Sequence, residues 1–406
     1  MDWSFQYFAE GWSADSLILW TFFAAAVLLA SLRLLGALLF PAFDKLPGTF
    51  RGNFDHLSTP FIDKRRLAFP PPYANGWYKL CDVADLTNGN VVSVTALGLD
   101  MVVFQGQSGA IGVLDAFCPH LGAHLGQGGT VHGDCLKCPF HGWELRPDGR
   151  CARIPYSSAP VPPTAKAQVF RHTTYCGMVL VWFHAEGAEP TWQPMPLPHL
   201  ERWVRHGAVQ TSFDMHISDM AENAADYYHF NYLHKPLALP VLRRLMHMSY
   251  DTKLYFDSEV RQRCFFENLS TVWLMKRWPF RWYTQKTIVT FDGPGLVHFD
   301  VKTPLGNIWL LKSVLPVGPF QMYSEDVWFA ESRVPRWLVH LIATIARDAL
   351  EQDRGVWESR LYRAAPHLVK GDGPFLRYRR WFEQFYSESS DQVERRHLSR
   401  EQQYQW

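Results

Sequence analysis

The stretch CPHLGAHLGQGGTVHGDCLKCPFH, residues 118–141, holds three cysteines and four histidines in two dozen positions. Thiolate sulfur and imidazole nitrogen are ligands for transition metals, and this density of them points to a metal centre. The ligands fall into two halves. Cys118-Pro-His120 is followed, after 17 intervening residues, by Cys138-Pro-Phe-His141, so each half offers one sulfur and one nitrogen from a tight turn. Two such loops facing each other suit a single zinc held as Cys2His2. They equally suit a two-iron cluster with both cysteines on one iron and both histidines on the other. Gly122, Gly126, Gly128, Gly129 and Gly142 favour the cluster, because they suggest backbone passing close to something bulky. Backbone N–H groups aimed at cluster sulfides would tune its potential. His124, His132 and Cys135 are left over and read as ordinary loop residues.

Around these loops the sequence is β. VVSVTALGLDMVVFQGQSGAIGVLDAF, residues 91–117, alternates β-branched and apolar residues with Gly and Asp punctuation, the pattern of an antiparallel sheet. GMVLVWFHAEGAEPTW, residues 177–192, closes this domain with one more strand. Beyond Pro194 the character changes: 216–235 read as helical, 249–333 as several strands and 336–364 as a long helix. That is an α+β domain whose antiparallel sheet wraps one helix. At 406 residues, 47% hydrophobic and 19% charged, the chain has room for two ordinary cores. A net charge of +1 with no block of like charge gives no footprint for nucleic acid. Seven cysteines, an odd and sparse set, argue against a secreted disulfide framework and for a reducing compartment.

The first forty residues differ from the rest. LILWTFFAAAVLLASLRLLGALLF, residues 17–40, would span about 36 Å as a helix, enough to cross a bilayer with some tilt. The acids Asp2, Glu10 and Asp15 precede it, unlike the basic start of a signal peptide. Lys45, Arg51, Lys64, Arg65 and Arg66 follow it, which places the C-terminal bulk in the cytosol. The expected organisation is a membrane anchor over 1–43, a linker over 44–75, a metal-loop domain over 76–190, a catalytic domain over 191–390 and a tail over 391–406. WLMKRWPFRWY, residues 273–283, reads as a strand and turn, with an interfacial entrance as the alternative.

A second group of metal-type ligands lies in AENAADYYHFNYLH, which carries Glu222, Asn223, Asp226, His229 and His234. Two histidines and a carboxylate form the facial triad of non-haem Fe(II) sites. His229 and His234 lie five residues apart, roughly 140° around an ideal helix. Both can face one metal only across a π-bulge or a helix break. The third ligand comes from IATIARDALEQDRGVWESRL, residues 342–361. Ile342, Ile345, Ala346, Ala349, Leu350, Val356, Trp357 and Leu361 form one apolar stripe, and Asp353 falls in its middle. A carboxylate on a buried face needs a cation. Iron is one such cation; a buried Arg or Lys is another. Asp226, three residues before His229, is placed for its carboxylate to hold that histidine.

Through CPHLGAHL and CPFHGW the sequence resembles a Rieske [2Fe–2S] domain. The resemblance implies that Cys118 and Cys138 bind one iron and that His120 and His141 bind the other. Respiratory Rieske proteins carry a further disulfide between the two loops; the corresponding positions here, Ala123 and Phe140, cannot form one. With NGWYKL, HAEG and ENAADYYHFNYLH added, the chain resembles the membrane-anchored Rieske oxygenases typified by cholesterol 7-desaturase. That family implies a helix-grip catalytic domain, with Fe(II) at His229, His234 and Asp353. It implies electrons from NAD(P)H through a separate reductase or ferredoxin, O2, and a sterol substrate. It also implies a homotrimer in which Asp226 connects the iron to His141 of a neighbouring subunit. A steroid-nucleus hydroxylase, a membrane-bound electron carrier and a zinc-stabilised binding module are the alternatives.

Overall fold

The alternation read at 91–117 becomes a three-stranded antiparallel sheet in the computed structural model, which describes residues 64–393 apart from 66, 235–245 and 276–277, together with 27, 31 and 45–47. The anchor expected at 17–40 therefore lies outside the described residues, apart from 27 and 31, as does most of the expected tail. Among the described residues no helix is long and apolar enough to cross a membrane.

A short strand β1 (Lys45–Pro47) belongs to the large C-terminal sheet. The next ten strands build three small sheets. They are β2 (Gly76–Asp82), β3 (Val91–Ala96), β4 (Leu99–Gln105), β5 (Ile111–Asp115) and β6 (Thr130–His132). After them come β7 (Cys135–Lys137), β8 (Glu144–Leu145), β9 (Cys151–Arg153), β10 (His172–Tyr175) and β11 (Met178–Phe183). The sheets run β10-β11-β2, β3-β4-β5 and β6-β7-β8-β9. The metal-type residues sit in the two connections β5–β6 and β7–β8. Phe104, Leu114, Leu125, Leu136 and Leu145, none of them measurably exposed, pack beneath those loops and fix them to the sheets.

The C-terminal half is one eight-stranded sheet. Its strands are β12 (Val204–Phe213), β13 (Met246–Phe256), β14 (Arg263–Leu274), β15 (Trp278–Asp292), β16 (Leu296–Thr303), β17 (Gly306–Gly318) and β18 (Gln321–Ala330). The order is β1-β12-β18-β17-β16-β15-β14-β13, antiparallel except for the β1–β12 pair. Because side chains alternate across a strand, the two faces have different partners. On one face Trp309, Leu311, Val327 and Phe329 pack against Trp77, Leu180 and Trp182 of the first half. On the other, Phe266, Val289, Phe299, Leu310 and Trp328 stand in register across five strands. Each large apolar side chain buried in such a row stabilises the fold by about 1.5–3 kcal/mol. Of WLMKRWPFRWY, Trp273 and Leu274 end β14 and Trp278 starts β15, while 276–277 lie outside the described residues.

Helices cover the second face: α1 (Ile217–Asn223), α2 (Tyr227–Tyr232), α3 (Arg336–Trp357) and α4 (Phe375–Glu383). The region read as helical at 216–235 is thus two short helices with a break between them. The long helix stops at Trp357 instead of reaching 364. Arg65 donates to the carbonyl oxygens of Trp357 and Glu358, both at 2.9 Å, satisfying groups that further turns would have used. Val356, expected on the apolar stripe, is exposed, because the buried side of the last turn carries Asp353, Arg354 and Trp357.

Candidate metal centres

The two loops of the first centre repeat one turn. Cys118 N–H donates to the Ala123 carbonyl and Gly122 N–H to that of Cys118, both at 2.9 Å. In the second loop Cys138 N–H donates to the Trp143 carbonyl at 2.8 Å and Gly142 N–H to that of Cys138 at 3.1 Å. Gly122 and Gly142 stand at φ +74° and +73°, a left-handed conformation that strains other residues. Cys118 and Cys138 are buried, and burial pushes the Cys118 thiol up to about 11, so a bound cation must displace its proton. The His120 and His141 rings lie 4.8 Å apart, and His120 stacks on Trp143 at 4.6 Å. The Trp143 indole N–H donates to the Tyr156 hydroxyl at 3.0 Å, which locks the stack.

The five glycines have different local settings. Gly128 shares the left-handed conformation of Gly122 and Gly142, at φ +89°. Gly126 and Gly129 are required by the chain itself: a Cβ would come 1.7 Å from Ser93 Oγ and 2.0 Å from the Leu125 carbonyl oxygen. Of the leftover residues, His124 Nδ1 accepts from Gly126 N–H at 3.2 Å, and His132 lies 3.3 Å from Glu144. Cys135 is part of β7.

The second centre joins segments more than a hundred residues apart. Asp226 caps α2, its carboxylate accepting from the N–H groups of Tyr228 at 3.2 Å and His229 at 3.1 Å. Its backbone carbonyl lies 2.7 Å from His229 Nδ1. A carbonyl only accepts, so Nδ1 carries the proton and Nε2 keeps its lone pair. That Nε2 is buried and without a hydrogen-bond partner. The carbonyl of Asp226 therefore makes the hydrogen bond that orients the ring, and its carboxylate lies 3.7 Å from the same Nδ1. Burial raises the Asp226 carboxyl, but the hydrogen bonds around His229 outweigh it and hold the group below its usual range.

Helix α2 ends at Tyr232, and this break brings His234 back beside His229, with ring centroids 5.3 Å apart. His234 Nδ1 lies 3.1 Å from Gln352 Oε1, and Gln352 Nε2 donates to Asp348 at 2.8 Å. His234 Nε2 is left facing Asp353 Oδ1 at 3.1 Å, while Asp353 Oδ2 accepts from Asn223 at 3.1 Å. Burial works against a charged His234, yet Asp353 holds its ring above the ordinary range. Ligand atoms of His229, His234 and Asp353 all lie within 4.8 Å of one another, the one such group among the described residues. Two imidazole nitrogens and a carboxylate oxygen, each oriented by another group, fit non-haem Fe(II).

Glu222 does not join this group. It pairs with Arg360 and Arg379, both at 2.6 Å, while Asp219, with no exposed surface, pairs with Arg360 and lies 3.8 Å from Arg65. The network ties α1 to the segments after α3. Gln352, Arg65 and the part played by Asn223 escaped the sequence, where polar residues beside a ligand look like any others.

A cavity of about 280 Å³ opens between α3 and the sheet. His234 and Asp353 reach its wall, which is otherwise largely the apolar row of the sheet and the stripe of α3.

Set beside known proteins, residues 76–171 match the model of the Rieske [2Fe-2S] domain, and residues 181–386 that of the 3-ketosteroid 9alpha-hydroxylase C-terminal domain. The chain is 34% identical over 359 residues to a cholesterol 7-desaturase of Xenopus laevis, covering 84% of this chain and 79% of that one. It is 29% identical to a probable 3-ketosteroid-9-alpha-monooxygenase oxygenase component of Rhodococcus rhodochrous, covering 79% and 82%. Among solved structures, NdmA of Pseudomonas putida with caffeine aligns at a TM-score of 0.58, with 19% identity over 78% of this chain and 94% of that one. That last likeness is one of fold.

Proposed function

The chain belongs to the cholesterol 7-desaturase family of Rieske oxygenases, and from that premise we propose that it desaturates cholesterol at C7(8), giving 7-dehydrocholesterol. The observation that carries this is the grouping of His229 with His234 and Asp353, of which the last two line a mainly apolar cavity. In this reading Cys118, His120, Cys138 and His141 hold a [2Fe–2S] cluster, and the triad holds Fe(II). Once bound, the two centres supply electron transfer and O2 activation. The chain's own residues do the rest. Asp226 and Gln352 aim the histidines, Asn223 aims Asp353, and the apolar walls seat a sterol and exclude water. Electrons come from NAD(P)H through a separate reductase or ferredoxin.

Exposed Leu121, Phe140 and Tyr156 surround the cluster loops, and exposed Tyr228 and Tyr232 flank the half-exposed Asp226. Two such patches on one chain suit a head-to-tail ring. We take the ring to be a homotrimer, with Asp226 facing His141 of the next subunit. The apolar run at 17–40 anchors the protein in a membrane with its catalytic domains in the cytosol, so the sterol enters from the bilayer.

A second reading, hydroxylation of the steroid nucleus, is favoured by the match to the 3-ketosteroid 9alpha-hydroxylase domain. The test supplies cholesterol, O2 and a reducing system to the purified full chain and identifies the product by mass spectrometry. 7-Dehydrocholesterol supports desaturation. A hydroxysterol as sole product replaces that reading with the second.

A further inference from the structure

Lys312 on β17 and Asp326 on β18 are register partners, and both face the cavity that His234 and Asp353 line. The ammonium lies 2.5 Å from Asp326 Oδ1, and the residues are only 6% and 8% exposed. Two residues along the same strands lie Leu310 and Trp328 in one direction, both apolar and both on the cavity wall, and Val314 and Ser324 in the other, the Ser324 hydroxyl buried without a partner. An ion pair in such surroundings loses hydration that its mutual attraction does not fully restore. A second buried pair on the opposite face of β18 shows what a structural bridge looks like here. Lys79 reaches both Glu325 at 2.5 Å and Asp82 at 2.6 Å, and Glu325 also accepts from Gln210 at 2.9 Å. The cavity pair has no such company. Among the described residues Lys312 hydrogen-bonds Asp326 alone, and Asp326 Oδ2 takes no hydrogen bond. The indole N–H of Trp328 beside them is likewise unpartnered.

We propose that Lys312 and Asp326 bind the hydroxyl group of an otherwise apolar substrate and select it over the corresponding ketone. This deepens the sterol reading above and rests on it. A hydroxyl both donates and accepts, so it matches the free Asp326 oxygen and a spare Lys312 N–H together. A ketone only accepts, and leaves the carboxylate oxygen facing a carbon. Sites built around a substrate hydroxyl discriminate strongly against analogues that cannot complete the pattern. The pair thus separates hydroxysterols from 3-ketosteroids, the two substrate classes printed in the names of this chain's relatives.

The test measures equilibrium binding of radiolabelled cholesterol and cholest-4-en-3-one to the full-length holoenzyme, beside product analysis. The wild type is expected to bind cholesterol at least about tenfold more tightly than the ketone. Asp326→Asn turns an acceptor into a donor and shifts the ratio towards the ketone. The double variant Lys312→Met, Asp326→Leu removes the preference, bringing the two within about threefold, while its melting temperature holds or rises, as replacing a buried ion pair by apolar residues commonly allows. Equal binding by the wild type, or a preference that survives the double variant, overturns the proposal. If 7-dehydrocholesterol forms without any preference, only this proposal fails. If the preference is present and no desaturated product forms, the pair stands and the desaturase reading fails.

Discussion

The two proposed metal centres are built in opposite ways. The cluster loops repeat one local turn, each with its own cysteine, histidine and left-handed glycine, and each closed by hydrogen bonds within six residues. The triad has no local form. His229 and His234 owe their meeting to a helix that stops after Tyr232, and Asp353 arrives from a helix more than a hundred residues later. A local site depends on backbone conformation; an assembled one depends on what presses its pieces together. Damage to either should therefore leave the other in place.

The largest effect is expected from His229→Ala, which removes the unpartnered Nε2. Turnover should vanish while the cluster's EPR signal on reduction stays; continued product formation would mean that the second centre is misassigned. Next comes Arg360→Met, which strips Asp219 and Glu222 of a shared partner. Breaking a buried pair on one side typically costs about 3–5 kcal/mol. Thermal melting should drop sharply with cluster absorbance retained, and an unchanged melt would show that the network does not hold α1. Gln352→Leu leaves His234 Nδ1 without its acceptor. Loss of such an orienting group typically weakens metal binding about 10–100-fold. Iron retention against a chelator reads this out, again with the cluster unaffected. The smallest effect falls on the local site. Gly122→Ala forces a side chain onto a residue at φ +74°, a conformational cost of about 1–2 kcal/mol. It should hasten cluster loss on heating and leave iron at the triad unchanged.

This contrast also explains how much the sequence revealed. Within each loop the proposed cluster ligands span three or four residues, and a repeated local motif is visible without any knowledge of the fold. Of the glycines, Gly126 and Gly129 answer to packing within the chain itself, which no motif shows. At the triad, the five-residue spacing demanded a break and the apolar stripe singled out Asp353, because periodicity carries over distance. It could not show that the Asp226 carbonyl, beside its carboxylate, meets His229 Nδ1. Nor could it find Gln352, Arg65 or the Lys312–Asp326 pair, since their roles depend on which strands and helices become neighbours. The early end of α3 was hidden for the same reason, since a distant side chain such as Arg65 decides where that helix can stop; the break before α2 is local, made by the Asp226 cap.

The central claim is that the triad removes two hydrogens from neighbouring sterol carbons. Cholesterol carrying deuterium at C7 and C8, turned over by the reduced full-length protein in O2, tests it most directly by mass spectrometry. The account predicts a product that has lost one deuterium from each carbon and gained no oxygen. A product that keeps its C8 deuterium and carries one added oxygen contradicts it.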